Sequence, residues 1–122
     1  MDHQSPKARG EWGETVALEY LKKRGYAVVD RRFRSRFGEI DLIVKNGEFI
    51  AFVEVKTRKN ANFAHAREYV SKQKQSKIRA TASFWLLSHK TRLQPRFDVM
   101  EVYAPFGVDT KSPEVNHIEN AF

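Results

Sequence analysis

The chain has 122 residues, with 22 Lys and Arg against 15 Asp and Glu, a formal net charge of +7 and no cysteine. That length fits one domain with a real core, 1–122, and not two. Disulfides, thiolate chemistry and cysteine-ligated zinc are excluded, and the basic excess suits a polyanionic partner.

Other exclusions follow from the distribution of residues. The four histidines, at positions 3, 65, 89 and 117, lack the spacing of a zinc motif. The polar start MDHQSPKARGEW carries no signal-peptide core, and no apolar run approaches a membrane span. The expectation is a soluble, cytoplasmic protein with no membrane partner.

In chain order, the pattern first predicts a helix from about Ala8 to Arg24, stopped by Gly25. Its apolar stripe includes Ala17, Leu18 and Leu21, and Glu14 stands on the same stripe. An inward glutamate there either stabilises the helix N-terminus through the dipole or serves as a metal ligand, and the helix alone leaves both open. Tyr26 to Val29 predicts a first strand, connected or extended by DRRFRSRFG. Phe33 and Phe37 in that stretch either anchor it to the core or stack on bases, and anchoring is the commoner role.

Two strands flanking Asn46-Gly47 give the strongest short-range hairpin signal. A two-residue loop would pair Lys45 with Glu48, Asp41 with Phe52 and Glu39 with Glu54. Alternation then puts Glu39, Asp41, Glu54 and Lys56 on one face with Ile43, Ile50 and Phe52. The other face takes Ile40, Leu42, Val44, Ala51, Val53 and Val55. Asp41 and Glu54 become diagonal neighbours, ~7–8 Å apart at the backbone, able to converge on one cation. With both faces mostly apolar the strands are buried on two sides, where charges are paired or bind a metal. The bland alternative is a Glu–Lys ion pair at the sheet end, with Asp41 and Glu39 solvated at its rim.

Residues 58–66, RKNANFAHA, read as a polar loop beside this cluster, of the kind that closes over substrate. From about Arg67 to His89 a longer helix carries Val70, Ile78, Ala82 and Trp85 or Leu86 at helical spacing. Lys74 fills the gap in that stripe and either snorkels to solvent or reaches toward the carboxylates. Phe97 to Tyr103 predicts a last strand, with Val99 and Val102 as core candidates. Segments 1–7 and 104–122 read as peripheral tails, the latter ending in a short helical turn at Val115–Phe122. A hairpin apolar on both faces needs helices on both sides, so the fold class is α/β, a small mixed β-sheet flanked by helices. Basic residues recur on both flanks of the carboxylates: Arg31, Arg32, Arg34 and Arg36 before them, Lys56, Arg58 and Lys59 after, then Lys72, Lys74, Lys77 and Arg79.

Gly13-Glu14, GEIDLIV, FVEVKTR, a lysine-rich helix entered through Val70, and Arg96-Phe97-Asp98-Val99 occur in that order. This succession resembles the YraN-like family, placed in the PD-(D/E)XK nuclease superfamily and similar to Holliday junction resolvases. Ile40 stands where the superfamily motif has proline. The resemblance implies an αβββαβ restriction-endonuclease-like core and a metal-dependent endonuclease acting on DNA, including branched or damaged DNA. It also implies that Asp41, Glu54, the Val55 carbonyl and Glu14 hold Mg²⁺ or Mn²⁺, and that Lys56 orients or deprotonates the attacking water. Glu39 is implied as a supporting group and Lys74 as a phosphate contact, with Arg34, Arg36, Arg58, Lys59 and Lys77 as further nucleic-acid contacts. Resolvase-like enzymes act as homodimers, though the sequence selects no dimer patch. The competing reading is a non-catalytic nucleic-acid-binding module on the same fold, and a third is a protein whose basic surface meets an acidic partner.

Overall fold

The computed structural model describes residues 4–59 and 70–122. Its elements are α1 (Pro6–Lys23), β1 (Ala27–Ser35), β2 (Gly38–Lys45), β3 (Phe49–Arg58), α2 (Lys72–Ser88), β4 (Gln94–Tyr103) and β5 (Glu114–Ile118). The five strands form one sheet in the order β1-β2-β3-β4-β5. Only β3 and β4 are parallel, and the remaining pairs are antiparallel. The expected mixed α/β sheet is observed. Among the described residues no helix is long and apolar enough to cross a membrane.

Both helices begin on a serine cap. Ser5 Oγ accepts from the Ala8 N–H at 3.1 Å ahead of Pro6, a residue suited to the first helical turn. Ser71 Oγ accepts from the Lys74 N–H at 3.1 Å. The second helix therefore starts at Lys72, and buried Val70 precedes it rather than lying within it. The expected start at Arg67 and most of the expected loop, from residue 60 to 66, lie outside the described residues.

The helices cover opposite faces of the sheet. Ala17, Leu18 and Leu21 of α1 pack with Leu42, Val44, Ala51, Val53, Met100 and Val102. Ile78, Ala82 and Trp85 of α2 pack with Ile43, Ile50, Phe52, Val70 and Val99. The predicted division of hairpin residues holds except for Ile40, which joins the α2 cluster although alternation assigns it to the other side. Its strand pair is irregular there: Arg32, the residue that would face Asp41, has φ 52 and breaks the ladder between Arg31↔Leu42 and Phe33↔Ile40.

Two glycines set how closely the helices approach. A Cβ on Gly13 would collide with Thr57 Oγ1 of β3, so only glycine lets α1 lie this near the sheet. A Cβ on Gly38 would press on Lys77 Cβ and Thr81 Oγ1 of α2, each at 3.3 Å. Gly13→Ala is expected to lose about 1–3 kcal/mol of stability, the usual cost of overpacking. Urea unfolding checks this, and Gly10→Ala, where nothing lies within 4 Å, is the control that should not lose stability by this route.

The C-terminal segment departs from expectation. Glu114–Ile118 is a strand, β5, antiparallel to β4, where a helical turn at Val115–Phe122 was expected. The β-branched Val115 and Ile118 find partners in Val102 and Val99, so pairing with the sheet wins over local helix formation. Ala121 N–H then bonds Phe97 O at 2.7 Å, and the Phe122 ring stacks on Phe97 at 5.5 Å.

Candidate active site

The β2–β3 hairpin carries the two central carboxylates, but in a different register from the one a two-residue loop dictates. Lys45 faces Ile50, Val44 faces Ala51 and Leu42 faces Val53, a shift of two residues. The cause is Asn46. Its Oδ1 accepts from the N–H groups of Glu48 (2.9 Å) and Phe49 (2.7 Å), and its own N–H bonds Phe49 O at 3.0 Å. Neither Asn46 nor Gly47 has positive φ, so the tight primed turn does not form. An even shift by itself moves no side chain to the other face. Continued by one residue, this register sets Asp41 directly opposite Glu54.

The regular β2–β3 ladder ends at Leu42↔Val53, just short of those two residues. There a side chain replaces the backbone partner: Asp41 Oδ2 accepts from the Val55 N–H at 2.8 Å. Glu54, 6% exposed, projects on the α2 side. Its Oε1 receives Lys74 Nζ at 2.7 Å and lies 3.7 Å from Lys56 Nζ. Lys74 thus reaches the carboxylates rather than snorkelling to solvent. Glu39, Asp41, Glu54, Lys74 and Lys77 line one cleft of about 300 Å³ together with Gly38 and Ile78.

Burial is the largest influence on the charged groups around this cleft. Burial, and then repulsion from Glu54, push the Asp41 carboxyl up to about 7, against the Val55 hydrogen bond that favours ionisation. Burial also lowers the Lys56 pKa, opposed by Glu54 and reinforced by Lys74. For Lys74 burial works in the same downward direction, but the bond to Glu54, the charge of Glu54 and smaller contributions from Lys56 and Asp41 together outweigh it, and its pKa is raised.

Glu14 sits elsewhere in the network. Its Oε1 accepts from Arg32 Nε at 2.8 Å and lies 3.7 Å from Arg31 Nε. Among the described residues no three acidic or histidine side chains converge closely enough to hold an ion. Asp41 and Glu54 line the cleft together, while Glu14, whose charge also acts on Asp41, is turned onto the arginines of β1. Both readings of its inward position missed this partner, because nothing in the sequence registers α1 against β1.

The remaining candidates divide between two surfaces. Arg34 pairs with Glu39 at 2.9 Å, and the Arg36 guanidinium lies over the Phe37 ring at 5.0 Å. Lys77 abuts Gly38 beside them. Arg58 and Lys59 instead line a second cleft, of about 610 Å³, with Arg9 and Phe106. Lys56 borders that cleft too and stands between the two surfaces.

One buried network was noted in sequence only as the string Arg96-Phe97-Asp98-Val99. Asp98 is fully buried and accepts both Nε and Nη2 of Arg96 at 2.8 Å, His117 Nε2 at 2.8 Å and the Asn120 N–H at 3.0 Å. Arg96 also donates to Tyr26 Oη at 2.6 Å. Asp98 faces Val53 in the parallel ladder, so this network braces the strand of Glu54 one residue before it and from the opposite side. The signal was the Arg-x-Asp spacing, which puts both side chains on one face of a strand.

The model of uncharacterised protein family UPF0102 matches residues 13–102. A UPF0102 protein of Caldanaerobacter subterraneus is 41% identical over 129 aligned positions covering 100% of both chains. One from Caldicellulosiruptor saccharolyticus is 40% identical, over 93% of this chain and 95% of its own. One from Aliivibrio fischeri is 39% identical, over 97% of this chain and 94% of its own.

Proposed function

This chain belongs to uncharacterised protein family UPF0102, the YraN family, and we propose that it is a metal-dependent endonuclease acting on DNA. One observation carries the reading: two carboxylates, one from each strand, line a single cleft just past the end of the hairpin's ladder, with Lys56 of the Glu54 strand beside them. Asp41 and Glu54 offer hard oxygen donors, which suit Mg²⁺ or Mn²⁺, ions that take one or two carboxylates and keep several waters. The raised Asp41 pKa supports a cation there, since a bound cation would favour the ionised Asp41 that burial and the Glu54 charge disfavour. When bound, such an ion polarises a phosphoryl oxygen and lowers the pKa of water.

The protein's own contribution is positional. Lys56, held by Glu54 and lowered in pKa, places a water in line with the phosphorus and takes or relays its proton. The water oxygen bonds to phosphorus as a bridging P–O bond breaks. Lys74 and Lys77, on the helix edge of the cleft, face the phosphate oxygens. A second reading draws on the Lys74–Glu54 contact: an ammonium already seated on the carboxylate neutralises it, as a non-catalytic nucleic-acid-binding module would need.

Incubation with a labelled four-way junction and a linear duplex, in Mg²⁺, Mn²⁺ or EDTA, separates the two. Metal-dependent cuts establish the nuclease; salt-sensitive binding without cuts establishes the module. Lys56→Ala is expected to keep Mn²⁺ binding and slow cleavage by about 100-fold or more, as loss of a positioned acid–base group does. Lys74→Met should tighten Mn²⁺ binding about five-fold, the order of one partly exposed ion pair, because the ion no longer displaces an ammonium. Isothermal titration with Mn²⁺ measures both.

A further inference from the structure

Next to the carboxylate cleft lies an aromatic surface that the proposed chemistry does not use. Phe37 follows β1 and Phe84 lies on α2, 37% and 46% exposed, with ring centroids 5.9 Å apart. Phe33 supports Phe84 from within, stacked at 6.4 Å. The Arg36 guanidinium borders Phe37, and Lys77 stands against Gly38, the residue after it. Large exposed rings framed by cations are the arrangement that holds bases of a nucleic-acid strand, since every base has a face to stack and every phosphate a charge to meet.

Position along α2 defines the ligand further. Lys74, Lys77 and Phe84 follow one another along the helix, and the ten residues from Lys74 to Phe84 span about 15 Å. A strand with one phosphate at Asp41 and Glu54 therefore passes Lys77 and brings a base a few nucleotides away onto the rings. Bases inside a duplex have both faces covered by their neighbours and cannot stack there. A second copy of this chain is a poorer occupant, because a two-fold contact through the patch would bring Arg36 and Lys77 toward their own copies.

We propose that Phe37 and Phe84 form a stacking site for an unpaired nucleobase, which makes single-stranded or branched nucleic acid the preferred substrate class. The choice of cleaved substrate rests on the nuclease reading, whereas the binding site itself does not. Fluorescence anisotropy in EDTA, with a short labelled single strand and its duplex, tests the site apart from cleavage. A 2-aminopurine in the strand reports stacking by its quenching. Phe84→Leu, which keeps apolar cover over Phe33, should weaken single-strand binding about ten-fold, abolish the quenching and leave duplex affinity unchanged. Phe37→Leu should act in the same direction and gives the same test should Phe84→Leu fail to fold.

Equal weakening on both ligands, or none on the single strand, overturns the proposal. So does a wild-type dimer that Phe84→Glu converts to monomer in sedimentation equilibrium while single-strand affinity is kept, which assigns the patch to self-association. Stacking without any metal-dependent cleavage would sink the nuclease reading and leave this site standing. Cleavage whose preference among strand, junction and duplex is untouched by both leucine variants would do the reverse.

Discussion

Glu54→Gln is expected to abolish metal-dependent cleavage, and Asp41→Asn to do the same while making the metal-free protein more stable. Each change removes one of two carboxylates that face a shared position. Loss of a ligand should lower Mn²⁺ affinity and turnover by at least about 100-fold, beyond what the loss of a supporting contact does. The gain in stability is peculiar to Asp41. Its carboxyl is pushed up to about 7 by burial and by Glu54, so near neutrality the folded state binds a proton that the unfolded chain has released. Its contribution to stability is therefore present below the ordinary carboxylate range and lost as the pH rises toward about 7. Above that pH its charge is a burden, which asparagine removes while still accepting the Val55 N–H. Asp41→Asn should then gain about 1 kcal/mol, roughly 4 °C in Tm, at pH 8 without metal. Addition of Mn²⁺ should raise the Tm of the wild type and not of the variant. A variant that kept its metal response would remove Asp41 from the ligand set.

Asp98→Ala is expected to be the most damaging single change to stability. It leaves the buried guanidinium of Arg96 without its bidentate partner, and breaking such a pair from one side costs about 3–5 kcal/mol. Replacing both partners, as in Arg96→Met with Asp98→Leu, should recover part of that loss, because no isolated charge remains. Burial opposes ionisation of Asp98, but hydrogen bonds from His117, Arg96 and the Asn120 backbone outweigh it and hold its carboxyl below the ordinary range. The sign is thus opposite to that of Asp41. The stability it confers is present above the ordinary carboxylate range and lost as the pH falls through the depressed value. Urea titrations at pH 7 and pH 3 should show wild type and Asp98→Ala drawing together in acid. Because the network braces Val53, the alanine variant should also weaken metal binding at Glu54 without touching it.

What the sequence conveyed, and what it did not, follows from how far each signal reaches. Alternation over Leu42–Val44 and Ile50–Val53 is a local property, and it placed these residues, Glu54 and Lys56 on the observed faces. The register depended on one side chain: Asn46 closes the turn with its own oxygen, and no dipeptide rule distinguishes that from a primed turn. Face assignment survived because the shift was even. Ile40 broke the pattern because Arg32, on the neighbouring strand, adopts a left-handed conformation that its residue type does not announce. The inward position of Glu14 was legible from helical spacing, whereas its capture by Arg32 was not. The same holds for Lys74, whose place on the helix was evident but whose reach to Glu54 required the packing of α2. β5 escaped notice because a short edge strand takes most of its stability from the strand it joins.

β1 has a further consequence. Among the described residues it is the outermost strand on its side of the sheet, with one row of backbone groups turned away from β2. Such an edge invites another chain to add on, and proteins prevent this with charge and with local distortion. This strand has both. Its pairing with β2 shifts register between Val28 and Asp30, Arg32 twists out of extended geometry, and Arg31, Arg32 and Arg34 load it with positive charge. An arginine-rich stretch that reads at first as a ligand surface is in this respect also a guard against edge-to-edge aggregation. Replacing its arginines by neutral β-formers would risk a protein whose fault appears in the test tube as precipitate before it appears as lost function.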